Sequence, residues 1–331
     1  MFVKKLDRHP DSMQLVDPEA SIYVAGHNGL LGRSIVKKLR ASGFRNLLLR
    51  TSSELDLRAQ SPVNDFFAEN QPEYVILAAA RVGGILANDQ YPSDFLGDNL
   101  SIQNNVLQAA KNSRVKRLVF LGSTCIYPRE APQPLKETAL LTGPLEITNR
   151  WYAVAKIAGV VQCQALRQQH GCDFITLMAT NLYGPGDNFD LTSSHVLPAL
   201  MRKFHEARIR GDDRVSVWGS GRPRREFLYS EDMADACLFV LETPEDQINR
   251  VAPDSMLNVG SGIDLSIRDL CVLLQEVIGT NCALDFDRSK PDGTPRKLVD
   301  VSRLTQLGWQ APTSLRMGIQ KTYTWYQAHC A

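Results

Sequence analysis

The sequence has no surplus of charge, no long apolar run and no paired cysteine spacing. Its 331 residues carry 37 Lys and Arg against 36 Asp and Glu, a net charge of +1. That balance removes the positive field that draws a protein onto nucleic-acid phosphates, although local basic clusters can still hold a small anion. No apolar stretch approaches the about 20 residues that a membrane-spanning helix needs. The opening, MFVKKLDRHPDSMQLVDPEA, is broken by charges and prolines and lacks the apolar centre of a secretory leader. The seven cysteines, at 125, 163, 172, 237, 271, 282 and 330, are odd in number and include no CxxC pair. Neither a disulfide framework nor a metal site is expected, and a reducing, cytoplasmic compartment fits. There is no internal repeat and no low-complexity tract. With 44% hydrophobic and 22% charged residues, the composition is that of an ordered globular protein.

What is present is a rhythm. SIYVAG is a short apolar run with β-branched residues that ends in glycine, and a helical pattern follows from Gly29 to about Arg40. RNLLLR and SPVNDFFAEN read as a second strand and helix, EYVILAAA as a third strand, and Asn99 to Lys111 as a helix. KRLVFLGS, then Tyr152 to Gln169, then DFITLMAT continue as strand, helix, strand. EYVILAAA is continuously apolar rather than alternating, the pattern of a strand covered on both faces. Strands alternating with helices imply right-handed βαβ crossovers and parallel pairing. After residue 182 the rhythm breaks up. YGPGDNFD is rich in turn residues, VSVW and MLNVG are isolated strand candidates, a helix is expected near Glu231–Leu241, and three more follow Ser266. The predicted fold class is α/β, a doubly wound parallel (Rossmann) sheet with a smaller α/β lobe built from separate pieces of chain.

The first strand runs into Gly26-His27-Asn28-Gly29-Leu30-Leu31-Gly32. Gly26 permits a tight turn, Gly29 lets the backbone approach a pyrophosphate, and Gly32 allows close helix–strand packing. The following helix offers free N–H groups and the positive end of its dipole to phosphates. Between a strand and a helix this turn points to a dinucleotide; a packing turn in an unrelated α/β protein is the plainer alternative. The end of the second strand selects which dinucleotide. An acidic residue there would hold the ribose 2′-hydroxyl, whereas the chain has Arg50 followed by Thr-Ser-Ser. A guanidinium fork suits an adenosine 2′-phosphate, so NADP (as NADPH) is expected. Asp56 is a candidate for the adenine amino group. On this reading residues 1–20 are an N-terminal extension. Residues 21–182 with about 219–259 form the NADP-binding domain, and about 183–218 with 260–331 form the substrate-binding domain.

Tyr152 and Lys156 stand at i, i+4 and so share a helix face. A nearby ammonium favours the phenolate and lowers the tyrosine pKa, which suits a proton donor for an alcohol/ketone couple. Ser123 sits at the carboxyl end of the fourth strand, where open α/β sheets bind ligands. If strand geometry persists, Ser123 and Cys125 point to the same side. A Cys125 thiolate there can take a proton next to a carbonyl, although a lone cysteine is more often a buried small hydrophobe. His195, in TSSHVLPALM, can return a proton near neutral pH.

With these residues, the chain resembles the extended short-chain dehydrogenase/reductase family, and within it the GDP-4-keto-6-deoxy-D-mannose 3,5-epimerase-4-reductases. The likeness covers roughly 21–328 and rests on AGHNGLLG, LRTSSELDL, AAARVGGI, FLGSTCIYP, YAVAKIAG, TNLYGPGDNF, SHVLPAL, VWGSGRPRREFL and KPDGTPRKLVD. It implies that Ser123, Tyr152 and Lys156 form the reductase triad, with Cys125 as epimerisation base and His195 as acid. It implies that Leu121, Gly122, Thr180, Asn181, Leu182 and His195 join the glycine turn and Arg50 around the cofactor. Lys203, Trp218, Arg225 and Lys297 are implied as contacts of a GDP-sugar substrate. A homodimer through a helix bundle beside the Tyr152 helix is also implied. The chain departs from the pattern at Asn28 and Lys203, where arginine is familiar, and Arg222 and Arg224 have no implied role. Competing functions are a nucleotide-sugar 4-epimerase, a plain 4-reductase or a non-catalytic dinucleotide sensor. A 4,6-dehydratase would need an acid/base pair after the serine, and Thr124-Cys125 stands there instead.

Overall fold

Residues of a strand point alternately to the two sides of a sheet, so a strand covered on both sides must be apolar throughout. The computed structural model describes residues 16–290 and 292–330. Its first half runs β1 (Ile22–Ala25), α1 (Leu30–Ala41), β2 (Leu47–Leu48), α2 (Gln60–Asn70), β3 (Tyr74–Leu77), α3 (Ile85–Gln90), α4 (Pro92–Asn112), β4 (Arg117–Ser123), α5 (Arg150–His170) and β5 (Phe174–Ala179). The second half runs β6 (Asn181–Tyr183), α6 (Val196–Arg210), β7 (Arg214–Trp218), β8 (Arg224–Tyr229), α7 (Ser230–Glu242), α8 (Glu245–Val251), β9 (Met256–Val259), β10 (Asp264–Ser266), α9 (Ile267–Ile278), β11 (Ala283–Asp287), β12 (Arg296–Lys297), α10 (Ser302–Leu307) and α11 (Leu315–His329).

A six-stranded sheet in the order β2-β1-β3-β4-β5-β9 is parallel throughout. Ile22, Val24, Ile76, Val119, Leu121, Ile175 and Leu177 pack on one side with α1 and α7. Tyr23, Val75, Leu77, Leu118, Phe120, Phe174 and Met178 pack on the other with α2, α4 and α5. The α/β doubly wound fold class is therefore as expected. The chain departs to opposite sides at β1, since β2 and β3 flank it. Such a switch point opens a crevice at the carboxyl ends of the strands.

Some boundaries move. RNLLLR contributes only the two half-buried residues of β2, at the sheet edge. The helix expected from Asn99 begins at Pro92, whose ring is preset for a first turn. Residues 1–15 of the expected extension lie outside the described residues, but Val16 and Ala20 are buried against the α1 side of the sheet.

A second sheet is centred on β8, which pairs antiparallel with β10 and parallel with β12 and β6. A third, two-stranded sheet joins β7 and β11 in parallel. With α6, α9 and α11 they enclose a separate apolar cluster that includes Tyr183, Phe204, Leu270, Leu274 and Ile319. The segment after β7 thus divides: β8 lies in the second sheet, α7 returns to pack on α1, and β9 closes the edge of the first sheet. Glu226 on β8 is fully buried, accepting from Gly262 N at 2.7 Å and Val299 N at 2.9 Å. Among the described residues no helix is long and apolar enough to cross a membrane, and no cluster of His, Cys, Asp and Glu is placed to hold a metal ion. All seven cysteines are unpaired.

Candidate active site

The glycine turn lies at the end of β1. Gly26 has φ +82°, and a Cβ there would fall 2.7 Å from backbone atoms of Ala79. A Cβ on Gly32 would fall 2.1 Å from the Gly26 carbonyl oxygen. These contacts hold α1 hard against the turn, and no side chain caps its first N–H groups. The buried Nδ1 of His27 has no hydrogen-bond partner. A cradle with uncapped amides and an orphaned ring nitrogen fits a diphosphate, and Asn28, Leu30 and Leu31 lie along it. At the end of β2, Arg50 donates to the Leu49 carbonyl at 2.9 Å and lies over the Phe66 ring, 5.5 Å from its centre. Asp56 is gripped by Arg58 through Nε at 2.9 Å and Nη2 at 2.8 Å, which holds its carboxyl at about 2. That carboxylate faces an arginine of its own connection, between β2 and α2.

The strand carrying Ser123 stops there, and a 3-10 turn follows over Thr124–Ile126. The expectation of strand alternation from Ser123 to Cys125 therefore fails. Instead the chain folds back so that Cys125 N donates to Ser123 Oγ at 3.4 Å. α5 packs on the turn, and Cys125 lies within electrostatic reach of its Tyr152 and Lys156. Lys156 is 3% exposed and donates to the Leu121 carbonyl at 2.8 Å. Its ammonium stands 4.7 Å from the centre of the Phe120 ring and 5.8 Å from that of Tyr152. Burial pushes Lys156 down to about 8, against the opposing pull of Cys125 and Cys163. Burial also pushes the Tyr152 phenol well above its ordinary value, with Cys125 adding to the rise. The expected lowering of the tyrosine by its lysine is not met: the ammonium bonds a carbonyl, and desolvation outweighs it. Burial raises the Cys125 thiol too, opposed first by Lys297, then by Ser123 and Lys156.

His195 is the residue before α6. Its side chain is exposed, yet the surrounding protein desolvates it enough to hold its pKa below the usual histidine value. The loop leading to it is tied by Asp190, which accepts from the backbone of Thr192 and Ser193. Its Ser193 carbonyl would lie 3.5 Å from a Cβ on Gly84, so this loop meets the one after β3 at the carboxyl end of the sheet.

Between the lobes, the Thr180 hydroxyl and Asn181 amide both donate to the Glu226 carbonyl, at 3.2 Å and 2.8 Å. Their side chains, beside Leu182, join β5 and β6 to β8; Gly122 packs under Met178. Lys297 on β12 lies opposite Arg225 on β8. Arg225 donates to the Arg224 carbonyl at 2.9 Å, and burial lowers its pKa. Trp218 is 48% exposed at the end of β7, with the ammonium groups of Lys203 at 5.7 Å and Lys290 at 5.5 Å from its ring.

Sequence reasoning missed Lys290 and Glu146. Glu146 is buried before α5, accepts from Thr294 Oγ1 at 3.3 Å and lies 3.5 Å from Arg129. Neither has a local pattern that marks it; Lys290 sits in the same stretch as Lys297, and only that stretch gave a signal. Arg224 now has a place, donating to Asp264 Oδ1 from Nη2 at 2.9 Å. Nothing in the structure explains Arg222.

A parallel sheet with a phosphate-shaped turn after β1, and Ser, Tyr and Lys gathered beyond β4, defines a nicotinamide-dependent enzyme of the short-chain reductase type. The chain belongs to the NAD dependent epimerase/dehydratase family, whose model matches residues 22–260. It is 56% identical to GDP-L-fucose synthase 1 of Arabidopsis thaliana, over 94% of each chain. It is 48% identical to GDP-L-fucose synthase of Escherichia coli, over 92% of this chain and 96% of that one. Among solved structures it is similar to MlghC, a GDP-mannoheptose C4 reductase from Campylobacter jejuni with NADP bound. That likeness has a TM-score of 0.86 and 38% identity over 95% of this chain and all of that one.

Proposed function

We propose that the protein converts GDP-4-keto-6-deoxy-D-mannose to GDP-L-fucose, inverting C3 and C5 and then reducing the 4-ketone. The observation that supports it most is a thiol, Cys125, folded onto the serine of a complete Ser123, Tyr152 and Lys156 set. The names of the relatives at 48% and 56% identity agree with it. NADPH, when bound on the 26–32 turn with Arg50 at its 2′-phosphate, supplies the hydride to C4. Tyr152 gives its proton to the 4-keto oxygen; its raised pKa keeps the phenol protonated and ready to donate. Ser123 holds the same oxygen, and Lys156 orients the phenol.

Before reduction, the 4-ketone acidifies the hydrogens on C3 and C5. Cys125, as thiolate, takes a proton from one face of the ring, and His195 returns one to the other. Ser123 and Tyr152 hydrogen-bond the enolate oxygen formed between the two transfers. Arg225, Lys297 and Lys203 suit the diphosphate, and Trp218 suits a planar ring. The enzyme on this reading is bifunctional and cytoplasmic, its first domain holding NADP and its second the GDP-sugar. It is a homodimer, supported by the exposed Val154 and Val161 seven residues apart on α5.

The test is turnover of GDP-4-keto-6-deoxy-D-mannose with NADPH in heavy water, with mass analysis of the product. GDP-fucose with two solvent deuteriums is expected. Reduction without deuterium would leave a plain 4-reductase, the reading that the likeness to the C4 reductase favours.

A further inference from the structure

We propose that Lys297 sets the ionisation of Cys125, a duty separate from any contact it makes with the substrate's diphosphate. The proposal deepens the reading of Cys125 as the epimerisation base, on which it rests, by naming the group that makes the thiol basic. Cys125 and Lys297 line one small cavity beneath the 3-10 turn, together with Thr124, Tyr127, Glu146 and Thr294. The turn is pinned at both ends. Cys125 N donates to Ser123 Oγ, and Tyr127 OH donates to Asn258 Oδ1 at 2.6 Å. The backbone that carries the thiol is therefore held in place beside the cavity that Lys297 also lines.

Every charged group near this cavity except one has a partner. Lys156, from α5, donates to the Leu121 carbonyl. Arg225, from β8, donates to the carbonyls of Arg224 and Asp292. Arg296 pairs with Asp264, and Glu146 with Arg129 and the Thr294 hydroxyl. Tyr152 and Ser123 face the thiol uncharged. Lys297 makes no hydrogen bond or ion pair with the described residues, although it is half-buried and beside Arg225. A desolvated ammonium next to another cation needs an anion. In the free protein two groups can supply one: Glu146, already engaged by Arg129 and Thr294, and Cys125 once its thiol ionises. When the thiol proton leaves to water, thiolate and ammonium form a pair, so Lys297 offsets part of the rise that burial imposes on the thiol. When the thiolate takes a proton from carbon the lysine stays protonated, and the pair re-forms once that proton escapes. No electron moves in either step.

The test uses the whole protein without substrate. The rate at which iodoacetamide alkylates Cys125 is followed on its peptide by mass spectrometry across pH. Thiolate absorbance near 240 nm, taken as a difference from Cys125→Ser, gives the same titration without relying on access. Lys297→Met is expected to raise the thiol midpoint by about one pH unit or more, slowing alkylation about tenfold at neutral pH. Lys297→Arg, which keeps the charge, is expected to restore it. Lys297→Gln serves if the methionine variant loses NADPH binding or its circular dichroism. An unchanged midpoint, or an arginine variant shifted as far as the methionine one, would overturn the proposal. Loss of solvent deuterium from the product of the unaltered enzyme would instead remove the epimerase reading and leave this ion pair standing.

Discussion

Replacing Lys156 by methionine should change how stability depends on pH, by an amount that the structure fixes. The ammonium is 3% exposed, and burial moves its pKa from 10.5 to about 8. Between those values the unfolded chain binds a proton that the folded chain does not, so folding of the parent becomes more favourable as pH rises. The charged-lysine penalty is complete below pH 8 and vanishes above 10.5. It amounts to about 3 kcal/mol at pH 7 and about 1 kcal/mol at pH 10. Methionine has no such penalty at any pH, although it forfeits the bond to the Leu121 carbonyl at both. The parent should therefore gain about 2.5 kcal/mol on the variant between pH 7 and pH 10. Urea unfolding at the two pH values, with the fluorescence of the four tryptophans as probe, measures it. Parallel stability curves for the two proteins would refute a desolvated lysine at this position.

Three further outcomes are expected. Gly32→Ala should weaken NADPH binding at least about tenfold in a fluorescence titration, because its Cβ meets backbone rather than a side chain that can move. Arg117→Ala should destabilise the fold by about 3–5 kcal/mol in urea, since Arg117 is buried, pairs with Asp173 at 2.6 Å and donates to the Val240 carbonyl. Trp218→Ala should raise KM for the GDP-sugar about tenfold with kcat within about twofold, as loss of a cation-flanked stacking surface would do; an unchanged KM would place the base elsewhere.

The first sheet was legible because its strands are covered on both faces, which writes continuous apolar runs such as YVIL and FITLMA into the chain. The pairing of Tyr152 with Lys156 was legible because helical spacing is local. What escaped depends on where the chain goes after an element ends. Whether KRLVFLGSTC remains a strand through Cys125 is decided by the turn after Ser123, whose hydrogen bond no periodicity announces. The acidity of Tyr152 was misjudged because charge spacing is visible in sequence and burial is not. Asp56 and Arg58 are two residues apart, and their mutual grip could have been suspected. Arg224 with Asp264 is brought together only by the pairing of β8 with β10, and Lys297 with Cys125 only where both line the cavity beneath the turn after β4.

Glu226 gives the molecule a mechanical property. One carboxylate receives the amides of Gly262 and Val299, while its own carbonyl receives Thr180 and Asn181. A single residue thus rivets β8 to the exits of β5 and β9 and to Val299, after β12. With that rivet in place, Arg225 and Lys297, on paired strands, shift together rather than singly.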